Sequence, residues 1–117
     1  MKNENDGMGG TVGKERCGMK QTFVVLSVHG PNRDASRGVR EQDYWDEHAA
    51  FIDGLYDQGF IRLGGPFPDH AGSMLIVEGE SAEEVRRIML GDPWGHHGIL
   101  VLDEVRRWEI FLDRDKD

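Results

Sequence analysis

Gln42 to Leu55 is the one long stretch of the chain with a clear helical period. At about 100° per residue, Tyr44, His48, Phe51, Ile52 and Leu55 fall on one stripe, while Asp46, Glu47, Asp53 and Asp57 fall outside it. The spacing predicts an amphipathic helix that ends at Gly59, where a left-handed C-cap wants a glycine. Such a helix must lay its apolar stripe on another layer, so the chain needs a sheet or a second helix to receive it. The stripe also carries an imidazole. His48 points the same way as its aromatic and aliphatic neighbours and needs a polar partner for its ring nitrogens.

The receiving layer is legible on either side of that helix. Gln21 to His29 is rich in β-branched and aromatic residues and is stopped by Gly30-Pro31-Asn32, which predicts a first strand. One of its faces carries Phe23, Val25, Ser27 and His29, the other Val24, Leu26 and Val28. Both are largely apolar, so both sides of the sheet call for cover. Phe60 to Pro66 predicts a short second strand and Ser73 to Glu78 a third, its hairpin partner. Ser81-Ala82-Glu83-Glu84 has the form of a capping box before a second helix, whose buried stripe is Val85, Ile88 and Met89 and which Gly91 ends. A loop holding Asp92, Pro93, Trp94, His96 and His97 leads to Ile99–Leu102, and Val105 to Leu112 predicts the last strand.

The order strand, helix, strand, strand, helix, strand is an α+β split βαβ repeat. It closes as a ferredoxin-like four-stranded antiparallel sheet with both helices on one face. The other face stays bare. A second copy of the chain is the simplest cover for it, which predicts a homodimer through the open sheet face.

The chain has 117 residues, enough for one domain around one core. Residues 1–20 hold five glycines and no apolar run, and read as a disordered tail before a domain at 21–113 and a flexible C-terminus at 114–117. No segment has the apolar length of a membrane span or a secretory signal, and the single cysteine, Cys17, sits in the tail. The expectation is therefore a cytoplasmic protein without disulfides or membrane contact. A net charge of −8 would repel DNA or RNA, so nucleic acid is not an expected partner. Arg33, Arg37 and Arg40 gather before the long helix, where they form either an ordinary solvated loop or a meeting point for an anionic small molecule.

The best partner for His48 lies far along the chain, at Asp92. A carboxylate on one ring nitrogen fixes the tautomer and leaves the other nitrogen free to take a proton, an arrangement suited to proton abstraction and return. Ser73 could hydrogen-bond a substrate oxygen and Trp94 could stack on a flat ring. The bland alternative is a satisfied core histidine, with Asp92 serving only as a turn former before Pro93. Nucleophilic catalysis has no Gly-x-Ser-x-Gly elbow to support it. His29, His48, His70, His96 and His97 show no i, i+4 pair and no cysteine partners, so no metal site is expected; with no axial-ligand motif either, no cofactor is expected.

These residues carry a resemblance. The opening strand, the histidine within Asp46-Glu47-His48-Ala49-Ala50, Gly65-Pro66 ending the second strand, Gly72-Ser73 opening the third, and Asp92-Pro93-Trp94 after the second helix occur in one order over Thr22 to Leu112. In this the chain resembles the YCII-related (YciI-like) family of the dimeric α/β-barrel superfamily. The resemblance implies a homodimer with pockets between helix and sheet, a His48/Asp92 pair as active site and Ser73 as the strand-three serine. One family member is similar to a dehydrochlorinase acting on a chlorinated hydroxyquinol. The implied function is a small enzyme with general acid/base chemistry of lyase or isomerase type on a small, cyclic or aromatic substrate. The alternative is a non-catalytic ligand-binding or accessory domain of the same fold. The long glycine-rich tail, the arginine loop and His96-His97-Gly98 depart from the family pattern.

Overall fold

The computed structural model describes residues 20–69 and 71–115. Residues 1–19 of the expected tail, Cys17 among them, the loop residue His70 and the last two residues lie outside them. Four strands, β1 (Gln21–His29), β2 (Ile61–Pro66), β3 (Ser73–Gly79) and β4 (Leu100–Arg107), form one antiparallel sheet in the order β2-β3-β1-β4. Three helices, α1 (Trp45–Asp57), α2 (Ala82–Met89) and α3 (Pro93–His96), complete the ferredoxin-like α+β fold.

The core forms where the inward face of β1 is largest and least polar. Phe23 and Val25 are buried together with Val77 of β3, Val105 of β4, and Val85 and Met89 of α2. Phe51, Ile52 and Leu55 pack against this cluster from α1, yet no residue of α1 is fully buried. Helix α2 is thus seated on the sheet, whereas α1 stands partly clear of it.

Local chemistry sets the helix ends. Gly59 has φ 86°, and the amides of Gly59 and Phe60 donate to the Tyr56 and Leu55 carbonyls, which closes α1 as a Schellman motif. The Ser81 hydroxyl accepts from the Glu84 amide at 3.0 Å. The Glu84 carboxylate reaches back to the amide of Glu80, one residue ahead of the cap, at 2.7 Å.

Three expectations need correction. The long helix starts at Trp45 rather than Gln42, because Tyr44 adopts a left-handed backbone (φ 65°) and a 3-10 turn covers Val39–Glu41. Tyr44 therefore leaves the apolar stripe and stacks its ring on His97 at 3.7 Å. The last strand is Leu100–Arg107, not Val105 to Leu112. A bulge at Asp103 lets the two apolar runs form one strand, and β1 offers no partner beyond Trp108, whose amide donates to Thr22. The loop after α2 contains α3, capped by Asp92 with Pro93 at its first position, so the described residues hold three α-helices where two were expected.

Candidate functional site

Along β1 the side chains that face the helices change from Phe23 and Val25 to Ser27 and His29. Beneath α1 the facing position of β2 is Gly64, paired with Leu75 of β3. Small residues in the sheet under a raised helix leave a hollow of about 410 Å³. Its walls are mostly apolar and aromatic, with a few polar groups converging on it, the usual make-up of a small-molecule site.

His48 and Asp92 meet on that wall. His48 Nδ1 lies 2.9 Å from each oxygen of the Asp92 carboxylate, both side chains being largely shielded from solvent. A carboxylate only accepts, so Nδ1 donates and the Nε2 lone pair is left to take a proton. Among the described residues Nε2 has no hydrogen-bond partner. Asp92 is held in turn by its place as the N-cap of α3, where Oδ1 accepts from the Trp94 amide at 2.9 Å. The turn-former reading and the dyad reading of Asp92 thus describe one geometry: the cap fixes the carboxylate that fixes the imidazole.

Trp94 sits differently from the expected stacking platform. It is 3% exposed, its face is covered by the His48 ring at 3.8 Å and 9°, and its indole N–H donates to the Asp43 carbonyl at 2.7 Å. Those contacts make it a backing plate that holds the imidazole flat. Trp45, tilted 5.8 Å from His48 and half-buried, is the aromatic ring with more freedom to face a ligand. Its place at the first turn of α1, one residue from the expected stripe, is why the periodicity missed it.

Ser73 lines the hollow at the start of β3, paired across the sheet with Pro66 and Ser27. No hydrogen bond joins Ser73 to His48 among the described residues, so the two share a wall without the link a nucleophile and its base would need. Gly72 sets the position of Ser73. It has φ 118°, and a Cβ there would strike the Ser27 carbonyl, so only glycine lets β3 begin this close to β1.

The arginine loop divides. Arg37 is tied outside the cavity to Asp34 and Asp43, each at 3.2 Å. Its guanidinium is held above its ordinary value by the hydrogen bond to Asp43, and the Asp34 carboxyl is held low chiefly by the Ser36 hydroxyl and amide. Arg33 and Arg40 instead line the hollow, with the Arg40 guanidinium 5.9 Å above the Trp45 ring. Gln42 clamps the loop that carries them. It is 4% exposed, accepts from the Asp34 amide and donates to the carbonyls of Asp34, Arg37 and Gly38. Among the described residues no three His, Cys, Asp or Glu side chains come together as a metal site would require.

Residues 22–109 match the sequence profile of the YCII-related domain. The chain belongs to the YCII-related family. Among its relatives is the uncharacterised protein YjpA of Bacillus subtilis (strain 168), 29% identical over 76 residues, which span 62% of this chain and 88% of YjpA. Among solved structures this YCII-related chain is similar to 5-chloro-2-hydroxyhydroquinone dehydrochlorinase (TftG) of Burkholderia phenoliruptrix AC1100, in complex with 2,5-dihydroxybenzoquinone. That likeness has a TM-score of 0.58 and 30% identity, over 75% of this chain and 93% of the other. In this YCII-related chain no helix among the described residues is long and apolar enough to cross a membrane.

Proposed function

We propose that the hollow is an active site in which His48 acts as general base and acid, oriented by Asp92, on a small hydroxylated ring. The observation that carries this reading is the bond from Nδ1 to both Asp92 oxygens, with Nε2 left unpaired among the described residues on a cavity wall. Likeness to a dehydrochlorinase that binds a dihydroxybenzoquinone favours a flat, oxygenated ring and an elimination. Nε2 takes a proton from a ring hydroxyl and returns one to the neighbouring carbon that bears X, giving a keto tautomer. A second hydroxyl, para to the first, then gives up its proton to Nε2 as X leaves with its bonding electron pair and a ring C=C forms, so the product is a quinone and the net change is loss of HX. Return of the proton to another ring atom would make the reaction an isomerisation. A positioned base of this kind contributes roughly 10²- to 10⁴-fold to rate.

The test is chloride release from chlorinated hydroxyhydroquinones. Wild type should turn them over, and His48→Ala should lower turnover by about 10²- to 10⁴-fold with folding retained by circular dichroism. Asp92→Asn should lose part of the rate, because an amide no longer fixes the tautomer. Unchanged turnover in His48→Ala would remove the imidazole from the chemistry. Saturable binding with no turnover in wild type would favour the non-catalytic ligand-binding module.

We also infer a homodimer through the open sheet face. Val24, Leu26 and Met74 are half-buried and Val28, Leu63 and Val101 exposed on the side away from the helices. Beyond β4, Phe111 and Leu112 are also exposed. A contiguous apolar face of this kind favours a partner, and a second copy presents the matching surface. Light scattering at micromolar concentration should give twice the chain mass. A clean monomer would sink the inference.

A further inference from the structure

The protein carries a net charge of −8, yet the residues lining the hollow reverse that sign. Among the described lining residues only Arg33, Arg40 and Asp92 carry a formal charge. The Asp92 carboxylate is already engaged, with both oxygens on His48 and one also on the Trp94 amide. Neither Arg33 nor Arg40 has a carboxylate partner among the described residues, whereas Arg37, on the same loop, has two. Two cations, Arg33 half-buried and Arg40 exposed, are therefore left without a carboxylate among the described residues beside a mostly apolar cavity, whose walls screen an anion less than open solvent does.

The loop that presents them is organised in advance. Gln42 spends its side-chain amide on four backbone groups of Asp34, Arg37 and Gly38, so binding has little backbone to order. Arg40 rests over Trp45, which places a guanidinium next to the aromatic wall that would receive a ring. A guanidinium is a planar fork of donors matched to a carboxylate.

We propose that Arg33 and Arg40 are the specificity element of this cavity and hold a carboxylate carried by the ring of the ligand. The preferred occupant is then a hydroxylated aromatic acid rather than a neutral hydroquinone. This rests on the reading of the hollow as the substrate site and names the class of substrate it takes. The aromatic body lies by Trp45 and His48, and the carboxylate sits at the arginine side.

The experiment compares gentisate, which is hydroquinone bearing one ring carboxylate, with hydroquinone itself, by isothermal titration of the full chain at neutral pH. Gentisate should bind at least about tenfold more tightly, as expected for charge-assisted hydrogen bonds, and the ratio should shrink as salt is added. Arg33→Gln combined with Arg40→Gln should bring the ratio close to one. Arg86→Gln, which removes an exposed charge from α2 away from the cavity, should keep it. If the double variant fails to fold, the two single variants decide, each expected to lose part of the ratio. A wild-type ratio near one, no binding of either probe, a ratio that survives both substitutions, or its equal loss in Arg86→Gln would overturn the proposal. The two readings fail separately. Loss of turnover in His48→Ala without anion preference removes only the arginine assignment, and anion preference with unchanged turnover in His48→Ala removes only the catalytic one.

Discussion

The space between helices and sheet has two halves, built along the same face of β1. Under α2 it is filled: Phe23 and Val25 meet Val77, Val85 and Met89 with almost no exposed surface. Under α1 and α3 it is hollow, because the same face continues as Ser27 and His29 opposite Gly64 and Ser73. Two residues along a strand separate a packed core from a cavity. One half is held by apolar burial, and the other by directed polar contacts: the Asp92 cap, the His48–Trp94 stack and the Gln42 clamp. A cavity can stay open in a small domain when its walls do not depend on filling it.

The largest expected effect lies in the filled half. Phe23 is 1% exposed within the main cluster, and Phe23→Ala should destabilise the fold by about 3–5 kcal/mol, through lost transfer free energy and the void left behind. Urea unfolding of the two proteins measures it. A loss below about 1 kcal/mol would mean that this half is loosely packed too, and the contrast would dissolve.

That contrast was partly legible in the sequence. Alternation in Phe23 to His29, the glycine at 59 and the Ser81 cap each follow from local chemistry, and the structure uses them as such. The element order gave the sheet because a split βαβ repeat has few other ways to close. His48 stood out as an inward imidazole in need of a polar partner, Asp92 was one candidate among several carboxylates, and the family resemblance implied the pair that lies at 2.9 Å. Other features depend on tertiary geometry. Tyr44 fits a helical stripe, and only its stacking on His97 pulls it out. Gln42 looks like an ordinary helical polar residue, although its amide organises the preceding loop. Arg33, Arg37 and Arg40 look alike in sequence, and only the fold turns two toward the cavity and one toward Asp34 and Asp43. The end of β4 is set by where β1 runs out, which periodicity within β4 cannot show.

The smallest expected effect lies in the hollow half, and it separates a true cavity from a poorly packed core. Ser27 lies on the same strand face as Phe23, lines the hollow, and has no side-chain hydrogen bond among the described residues. Ser27→Val adds apolar volume where about 410 Å³ stands open, and a β-branched side chain suits a strand. Nothing needs to move aside, so the overpacking penalty of a filled core does not arise. Unfolding free energy should stay within about 0.5 kcal/mol of wild type, while binding of gentisate should weaken because the added methyl groups occupy ligand space. A loss of stability comparable to that of Phe23→Ala would show that Ser27 faces packed neighbours. Unchanged binding would show that the ligand sits elsewhere, and the division of the interior into a structural half and a binding half would have to be redrawn.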